Sequence, residues 1–330
     1  MLKHFLFGIT IISFALVKAQ EPLSDTLYEK ETDYIKTYLN RITGRVFYVN
    51  TSNSYVVNGR RENLKFSLDP NKQDRIGASA SFRFVSLSYS FSPDFLSENK
   101  DNKDSKLFNL NLRTYFGKWM QTLDVFSEKG FYAEFLNTSS YFPRFRSFKI
   151  GGSTSYIINE NFSFRAIASQ DEKQLKSAGS LIPSVTYYYT KLDIRSDDDS
   201  IDESLHTYDF AFTPSYCYNF VPAKNLFLSL GASAGIGLNY SKNVDTNGIE
   251  EDESLTSLLT EFSFFGTVTY DIDNFYLGSH YSYLILNHNT DRSSYVNDHI
   301  PFLQIFVGYR FKAPKSWIDF ADKLQDKVGM

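Results

Sequence analysis

Hydrophobic and polar side chains alternate along residues 206–241 for much longer than in an ordinary strand. Phe210, Phe212 and Tyr216 fall on one face of the first half, and Asp209 and Thr213 fall on the other. Successive side chains of a strand point to opposite faces, and strands of soluble proteins usually run about five or six residues. A membrane-spanning strand needs about ten, apolar toward lipid and polar toward the lumen. The pattern therefore predicts an all-β protein, an antiparallel transmembrane β-barrel.

The same alternation predicts further strands, most of them joined as hairpins by Asn, Asp or Gly. These residues adopt the backbone angles of tight turns readily. Both chain ends are expected on the periplasmic side, which requires an even number of strands. Thirteen segments fit the pattern, so we predict 12 strands with one segment assigned wrongly, and 14 is the alternative if Asn63–Leu68 or Gly130–Leu136 contributes a fourteenth. The predicted strands are 41–50, 75–82, 84–93, 106–116, 119–126, 147–157, 161–170, 180–190, 206–220, 225–241, 256–271, 273–288 and 299–311.

Four connections between the predicted strands are long and polar: 94–105, 195–204, 242–254 and 289–298. Bacterial barrels have short periplasmic turns and longer outer loops, so these segments are expected outside the cell. The composition agrees, because 31 Phe and 23 Tyr bring the aromatic share to 17%. Aromatic girdles at both membrane interfaces explain such a share.

The chain begins with features of a secretory signal peptide. An apolar core at 5–17 follows Lys3 and precedes small residues at a cleavage site between Ala19 and Gln20. A membrane anchor is the alternative. We expect export with cleavage of residues 1–19 and location in the outer membrane of a Gram-negative bacterium.

Two flanks lie outside the predicted barrel, which covers residues 41–311. Residues 20–40 are charged and are expected to form a periplasmic segment, either a short helix or a disordered lead. Residues 312–330 predict an amphipathic tail, because Trp317, Phe320 and Leu324 recur at helical spacing. That tail is expected on the barrel rim or the inner lipid surface, with a frayed end as the alternative.

One catalytic candidate is the pair His280 and Ser282, which share a face of one strand. A His-x-Ser pair occurs in outer-membrane enzymes that remove acyl chains from lipid A. The pair points inward, however, and spacing places no carboxylate to orient the histidine. We therefore predict no enzyme activity and keep an acyl hydrolase acting on lipid or lipopolysaccharide as an alternative.

Charged side chains are expected on the inward faces of the strands. Opposite charges in a narrow barrel usually pair and fix the register, and the alternative is a selectivity lining for a small pore. The predicted lumen-lining residues are Arg113, Lys149, Arg165, Asp209, Glu261 and Arg310.

Acidic runs occur in two of the predicted outer loops. Asp197, Asp198 and Asp199 form one, and residues 250–253 contribute the other. Carboxylates could bind Ca²⁺ or bridge lipopolysaccharide phosphates through divalent ions, but the spacing of a calcium loop is missing, which favours a solvated loop. The alternative function is a surface binding protein that uses these loops.

The sequence carries no phosphate-binding, zinc-protease or nucleophile-elbow motif, and we predict no cofactor. A net charge of −4 gives no support to nucleic acid binding. The expected partners are outer-membrane lipid, lipopolysaccharide and the barrel-assembly machinery.

Three segments resemble signature stretches of an uncharacterised family of Bacteroidota proteins. They are Arg75–Pro93, Phe142–Ile158 and Gln170–Ser180, within a resemblance that spans about residues 35–311. The resemblance implies an outer-membrane barrel and supplies no activity, ligand or catalytic residue. The function expected from residues and resemblance together is a narrow pore or a structural membrane protein.

Overall fold

The first and last long strands of the chain pair with each other and close a ring. The computed structural model describes residues 30–51, 55–59, 65–71, 73–96, 105–135, 138–195, 202–245, 253–289 and 294–328. The predicted signal peptide at 1–19 lies outside these ranges.

The elements are as follows. The strands are β1 (Lys30–Glu31), β2 (Ile35–Thr37), β3 (Arg41–Thr51), β4 (Tyr55–Gly59), β5 (Lys65–Pro70), β6 (Asp74–Phe82), β7 (Val85–Phe91), β8 (Lys106–Phe116), β9 (Trp119–Phe135), β10 (Thr138–Tyr156), β11 (Glu172–Gln174), β12 (Ala178–Ile182), β13 (Ser184–Arg195), β14 (Asp202–Phe212), β15 (Ser215–Ala223), β16 (Leu226–Asp245), β17 (Glu253–Ile272), β18 (Phe275–Asn289) and β19 (Ser294–Lys312). The helices are the 3₁₀ turn Asp94–Leu96, α1 (Arg165–Ala168) and α2 (Lys315–Val328).

Twelve of these strands form the ring. In chain order each pairs antiparallel with the next, through β3, β6, β7, β8, β9, β10, β13, β14, β16, β17, β18 and β19. Pairing of Phe302–Lys312 with Arg41–Thr51 closes it. The prediction of 12 strands is confirmed, and the alternative of 14 is wrong because Gly130 only continues β9 and β5 lies outside the ring.

One predicted strand is wrong, and its removal gives the even count. Residues 161–170 form no strand: they contain α1 and leave the ring after β10. The stretch 127–146, left without a strand in the sequence prediction, contains the end of β9 and the start of β10. β9 and β10 therefore cross the barrel wall in opposite directions, and the ring has an even number of strands.

Proline interrupts the strands of the ring at two places. β12 is separated from β13 at Pro183, and β14 from β15 at Pro214. Proline has no N–H to donate to a ladder, so the strand bends at that point. Past the interruptions β12 pairs with β15, and β15 stays paired with β16. β12 and β15 thereby extend the barrel wall beyond the ends of β13 and β14.

The two ends of the barrel differ in their connections. Tight turns with positive φ at Arg83 (55°), Gly117 (60°) and Asp273 (53°) join β6 to β7, β8 to β9 and β17 to β18. We name this the turn end, and it also carries the start of β3 and the finish of β19. The opposite, loop end carries the pair β4 and β5, which adds to β19 and β9.

The outer surface of the ring is apolar, as the alternation predicts. Phe210, Phe212 and Tyr216 are 60%, 50% and 55% exposed, whereas Thr213 and Cys217 are 5% and 1% exposed. Other exposed apolar side chains on the wall include Leu87, Leu123, Phe148, Leu230, Ile236, Leu238, Leu258, Phe262, Phe264, Val268 and Ile305. A band of this size on water-exposed wall would drive aggregation, so lipid is the solvent that fits it.

The segments before and after the barrel differ in secondary structure. The predicted amphipathic tail is a helix, α2, whereas the N-terminal segment shows the short strands β1 and β2 instead of a helix where the structure describes it. β2 pairs with β11, which follows α1. In the part of the chain that the structure describes, no helix is long and apolar enough to cross a membrane.

Candidate functional site

Residues 157–177 fold into the turn end of the barrel and fill its lumen. We name this segment the plug. Its apolar side chains Phe162, Ala166 and Ile167 are 3%, 3% and 6% exposed. They form one cluster with Cys217 and Phe227, which point inward from β15 and β16. The lumen is therefore closed at this end by a small hydrophobic core of its own.

The two ends of the plug lie side by side. The Asn159 side-chain amide donates to the Gly179 carbonyl at 2.7 Å, and the Asn159 backbone N–H donates to Ser180 Oγ at 3.0 Å. A loop whose ends meet can be shortened or displaced without opening the ring that carries it.

One buried ion-pair chain fastens the wall to the plug. The Arg310 guanidinium is fully buried and lies 2.6 Å from Asp271 Oδ2, and Lys173 of the plug lies 3.3 Å from Asp271 Oδ1. Arg310 also donates to the Gln170 carbonyl at 2.9 Å and stacks on the ring of Tyr38. The single carboxylate of Asp271 thus bridges one cation of the wall and one cation of the plug.

A second charged cluster lies within the plug itself. Arg165 is paired with Asp171 and lies 3.4 Å from Glu172 Oε1. It also donates to the Arg83 carbonyl of the β6–β7 turn and stacks on Tyr115 of β8. Burial lowers the pKa of Arg165, but the charges of Asp171 and Glu172 outweigh burial and leave the pKa raised. The prediction that Arg165 lines the lumen from a strand is wrong, because it belongs to α1.

Gln174 holds the plug together through a saturated set of hydrogen bonds. Its Oε1 accepts from the Ser163 N–H and from Asn219 Nδ2, both at 2.9 Å. Its Nε2 donates to the carbonyls of Asn161 at 2.7 Å, Lys176 at 3.0 Å and Tyr34 at 3.2 Å. Buried polar groups need such partners, and a satisfied network fixes one arrangement.

Above the plug the lumen is lined by charged side chains that are only partly buried. The Lys149 ammonium lies 4.6 Å from the centre of the Tyr188 ring, whose hydroxyl donates to Asp124 at 2.9 Å. On the neighbouring strands β14 and β16, Asn239 donates to Asp209 at 2.6 Å, and Asp209 lies directly opposite Tyr188 in the sheet. Glu261 interacts electrostatically with both Lys149 and Asp209.

Arg113 joins this lining to the plug. It projects from β8, and its guanidinium lies over the ring of Phe164, 5.7 Å from its centre. Of the six residues predicted to line the lumen, the structure therefore places Lys149, Asp209 and Glu261 above the plug, Arg113 and Arg310 against it, and Arg165 inside it.

The surroundings of His280 give no support to a catalytic pair with Ser282. The Nδ1 atom of His280 is hydrogen-bonded to Thr267 Oγ1 at 2.7 Å, and its ring packs against Phe265 and Phe302. None of the hydrogen bonds found among the described residues joins His280 to Ser282. The histidine is a packed side chain of the inner wall, with its ring held by aromatic neighbours.

The metal candidates Asp197, Asp198 and Asp199 lie outside the described residues. Within the described ranges, no group of three or more His, Cys, Asp or Glu side chains is arranged to hold a metal ion.

Sequence reasoning missed the plug and the role of Asp271. The signal was present, because Gln170–Ser180 has charged and amide side chains that break the alternation. That stretch contains β11 and the buried Gln170, Asp171 and Gln174.

A closed ring of twelve antiparallel strands with an apolar outside and a charged inside defines an outer-membrane β-barrel. Residues 25–311 match the model of one family, Domain of unknown function (DUF4421), and the chain belongs to that family. This confirms the family resemblance given by the sequence. No curated protein matches the chain.

Solved structures similar to this chain are outer-membrane barrels. The outer membrane protease OmpT of Escherichia coli has a TM-score of 0.36 and 7% identity, over 86% of this chain and 99% of that chain. An outer membrane channel from Pseudomonas putida F1 has a TM-score of 0.37 and 9% identity, over 87% and 100%. Ail, the attachment invasion locus protein of Yersinia pestis, has a TM-score of 0.20 and 10% identity, over 82% and 99%. These likenesses extend to the fold alone.

Proposed function

We propose that the protein is a narrow outer-membrane pore whose periplasmic mouth is closed by the plug. The observation that carries the proposal is a lumen lined above the plug by partly exposed charged side chains. Charged side chains that stay partly exposed inside a barrel are the kind of lining that a small water-filled pore needs. The plug is a loop with adjoining ends, so it can leave the lumen while the ring stays closed.

The membrane location and orientation belong to the same proposal. Residues 1–19 act as a cleaved signal peptide, the barrel-assembly machinery inserts residues 41–311, and residues 20–40 and 312–330 remain periplasmic. The turn end then faces the periplasm, and the loop end meets lipopolysaccharide. Mass spectrometry of protein purified from outer membranes should give an N-terminus at Gln20.

The pore is tested by removing the plug. Residues 160–177 are replaced by a short Gly-Ser linker, which the contact between Asn159 and Gly179 permits. Purified protein in planar bilayers should then show discrete conductance steps, whereas the native protein stays closed except for brief openings. The matched control shortens residues 246–251 of the connection between β16 and β17, which leaves the plug in place.

The conductance of each variant is interpreted only after its folding has been checked. A heat-modifiable band on gels shows that the barrel has formed. A folded barrel that lacks the plug and conducts no ions would refute the pore. Conductance after plug removal with no openings of the native protein at any voltage would favour the structural alternative.

A further inference from the structure

The C-terminal helix α2 packs against the outer wall of the barrel at the turn end. Ala321 is 4% exposed, and the ring of Trp317 lies edge-on to Phe82 with 6.1 Å between centres. The guanidinium of Arg83 holds the helix through Asp322 Oδ1 at 2.8 Å and Gln325 Oε1 at 3.0 Å. The helix is therefore attached to the β6–β7 turn at defined points.

An apolar groove of about 640 Å³ separates the helix from the wall. The wall contributes Ile42, Ala80 and Val85, and the helix contributes Phe320 and Leu324. The wall residues alternate with the inward-facing and buried Thr43, Ser81 and Ser86. The groove therefore lies on the outer surface and continues the lipid-facing band of the barrel.

The open side of the groove is bordered by two aromatic side chains that stay more than half exposed. Trp317 is 53% exposed and Phe320 is 64% exposed. An amphipathic helix with such a flank lies in the membrane interface with its apolar face toward the acyl chains. Tryptophan is enriched at that depth because one part of its ring is apolar and its N–H is polar.

Cations lie beside the aromatic flank. Lys323 and Lys327 follow Phe320 by three and seven residues, so they occupy the same side of the helix, and both are exposed. Ammonium groups at the polar edge of an interfacial helix attract anionic headgroups. The groove thus offers an apolar slot with positive charge next to it, which is the pattern of a phospholipid.

We propose that this groove binds one phospholipid of the periplasmic leaflet, with an acyl chain between α2 and the wall and the phosphate beside Lys323 and Lys327. The choice of phospholipid over lipopolysaccharide rests on the proposed orientation of the turn end. Binding does not depend on whether the lumen conducts, so the proposal and the pore fail separately.

Lipid binding in the groove can be measured by tryptophan fluorescence, because the chain has only two tryptophans. In the Trp119→Phe variant Trp317 is the single tryptophan, and it lines the groove. The variant is placed in detergent micelles with increasing mole fractions of phosphatidylglycerol brominated on its acyl chains. Quenching of Trp317 fluorescence should saturate at low mole fraction. In the Trp317→Phe variant, Trp119 on the open wall should be quenched only in proportion to the mole fraction.

A matched pair of substitutions on one strand shows whether the groove is responsible. Ala80 and Ala78 both lie exposed on the outer face of β6, and Ala80 is the one that lines the groove. In the Trp119→Phe background, Ala80→Phe should weaken the saturable quenching at least tenfold, whereas Ala78→Phe should leave it unchanged. Both variants should retain the heat-modifiable band.

Three results would overturn the proposal. Quenching of Trp317 that rises linearly and equally in the Ala80→Phe and Ala78→Phe variants would show ordinary lipid contact. Protection of Trp317 that grows with protein concentration would assign the groove to a second copy of the chain. Saturable quenching by brominated lipopolysaccharide, with none by phosphatidylglycerol, would assign it to the other leaflet's lipid.

Discussion

At the scale of single residues, the two faces of one strand differ in how well they tolerate a charged side chain. Phe262 in the middle of β17 is 51% exposed on the lipid side, and its neighbour Ser263 points into the lumen, where it is hydrogen-bonded to Ser233. Phe262→Arg should cost up to about 2–4 kcal/mol, the value for the membrane midplane, because a guanidinium on the lipid side loses its hydration. Ser263→Arg should cost much less. The fraction of protein that reaches the heat-modifiable form measures both, and a reversed order would mean that the faces are assigned wrongly.

Asp271 is the residue on which the seating of the plug depends most. Asp271→Asn removes the carboxylate between Arg310 and Lys173 and leaves a buried guanidinium without its counter-charge. Removing one partner of a buried pair costs about 3–5 kcal/mol. We expect a decrease of at least about 3 kcal/mol in the free energy of unfolding, from urea titration in lipid vesicles. Asp273→Asn is the control, because Asp273 is exposed and asparagine accepts its positive φ. Equal losses in both variants would contradict the role of Asp271.

At the scale of the elements, two glycines with positive φ separate backbone strain from crowding. Gly117 has φ of 60° and open space around it, whereas a Cβ on Gly130 would lie 2.5 Å from Ser105 Oγ and Tyr141 Oη. Gly117→Ala should cost about 1–2 kcal/mol from the left-handed backbone alone. Gly130→Ala should cost a further ~1–3 kcal/mol, because the hydrogen bond between Ser105, just before β8, and Tyr141 of β10 must move. Urea titration compares them, and a larger loss at Gly117 would contradict this account.

Alternation located all twelve strands of the ring, because each ring strand keeps one face in lipid and one in the lumen. It failed at 161–170, where Phe162, Phe164 and Ala166 alternate but pack into a local core inside the barrel. The count of thirteen segments already conflicted with two periplasmic ends, and the unusual stretch Gln170–Ser180 marked the place. The sequence could not reveal the ion pairs between the plug and the barrel wall. Asp271, Lys173 and Arg310 are far apart in the chain, and only the closed ring brings their charges together.

At the scale of the whole molecule, the barrel is asymmetric. The turn end combines the plug, the short sheet β1–β2–β11 and the C-terminal helix α2. The loop end carries strand extensions such as those of β16 and β17, each 20 residues long. A bilayer is crossed by about ten residues of a tilted strand. The remainder of these long strands therefore projects beyond the membrane at the loop end and surrounds the mouth of the charged lumen.

This asymmetry makes the orientation measurable in intact cells. The only cysteine, Cys217, is 1% exposed, so the native protein should not react with a membrane-impermeant maleimide. Ser139→Cys places an exposed thiol at the loop end, and Lys224→Cys places one in the β15–β16 turn at the turn end. We expect Ser139→Cys to label at once in whole cells and Lys224→Cys to label only after the outer membrane is permeabilised. The opposite pattern would put the plug at the outer mouth and the long strands in the periplasm. The pore would then be closed from outside, and the lipid beside α2 would belong to the outer leaflet.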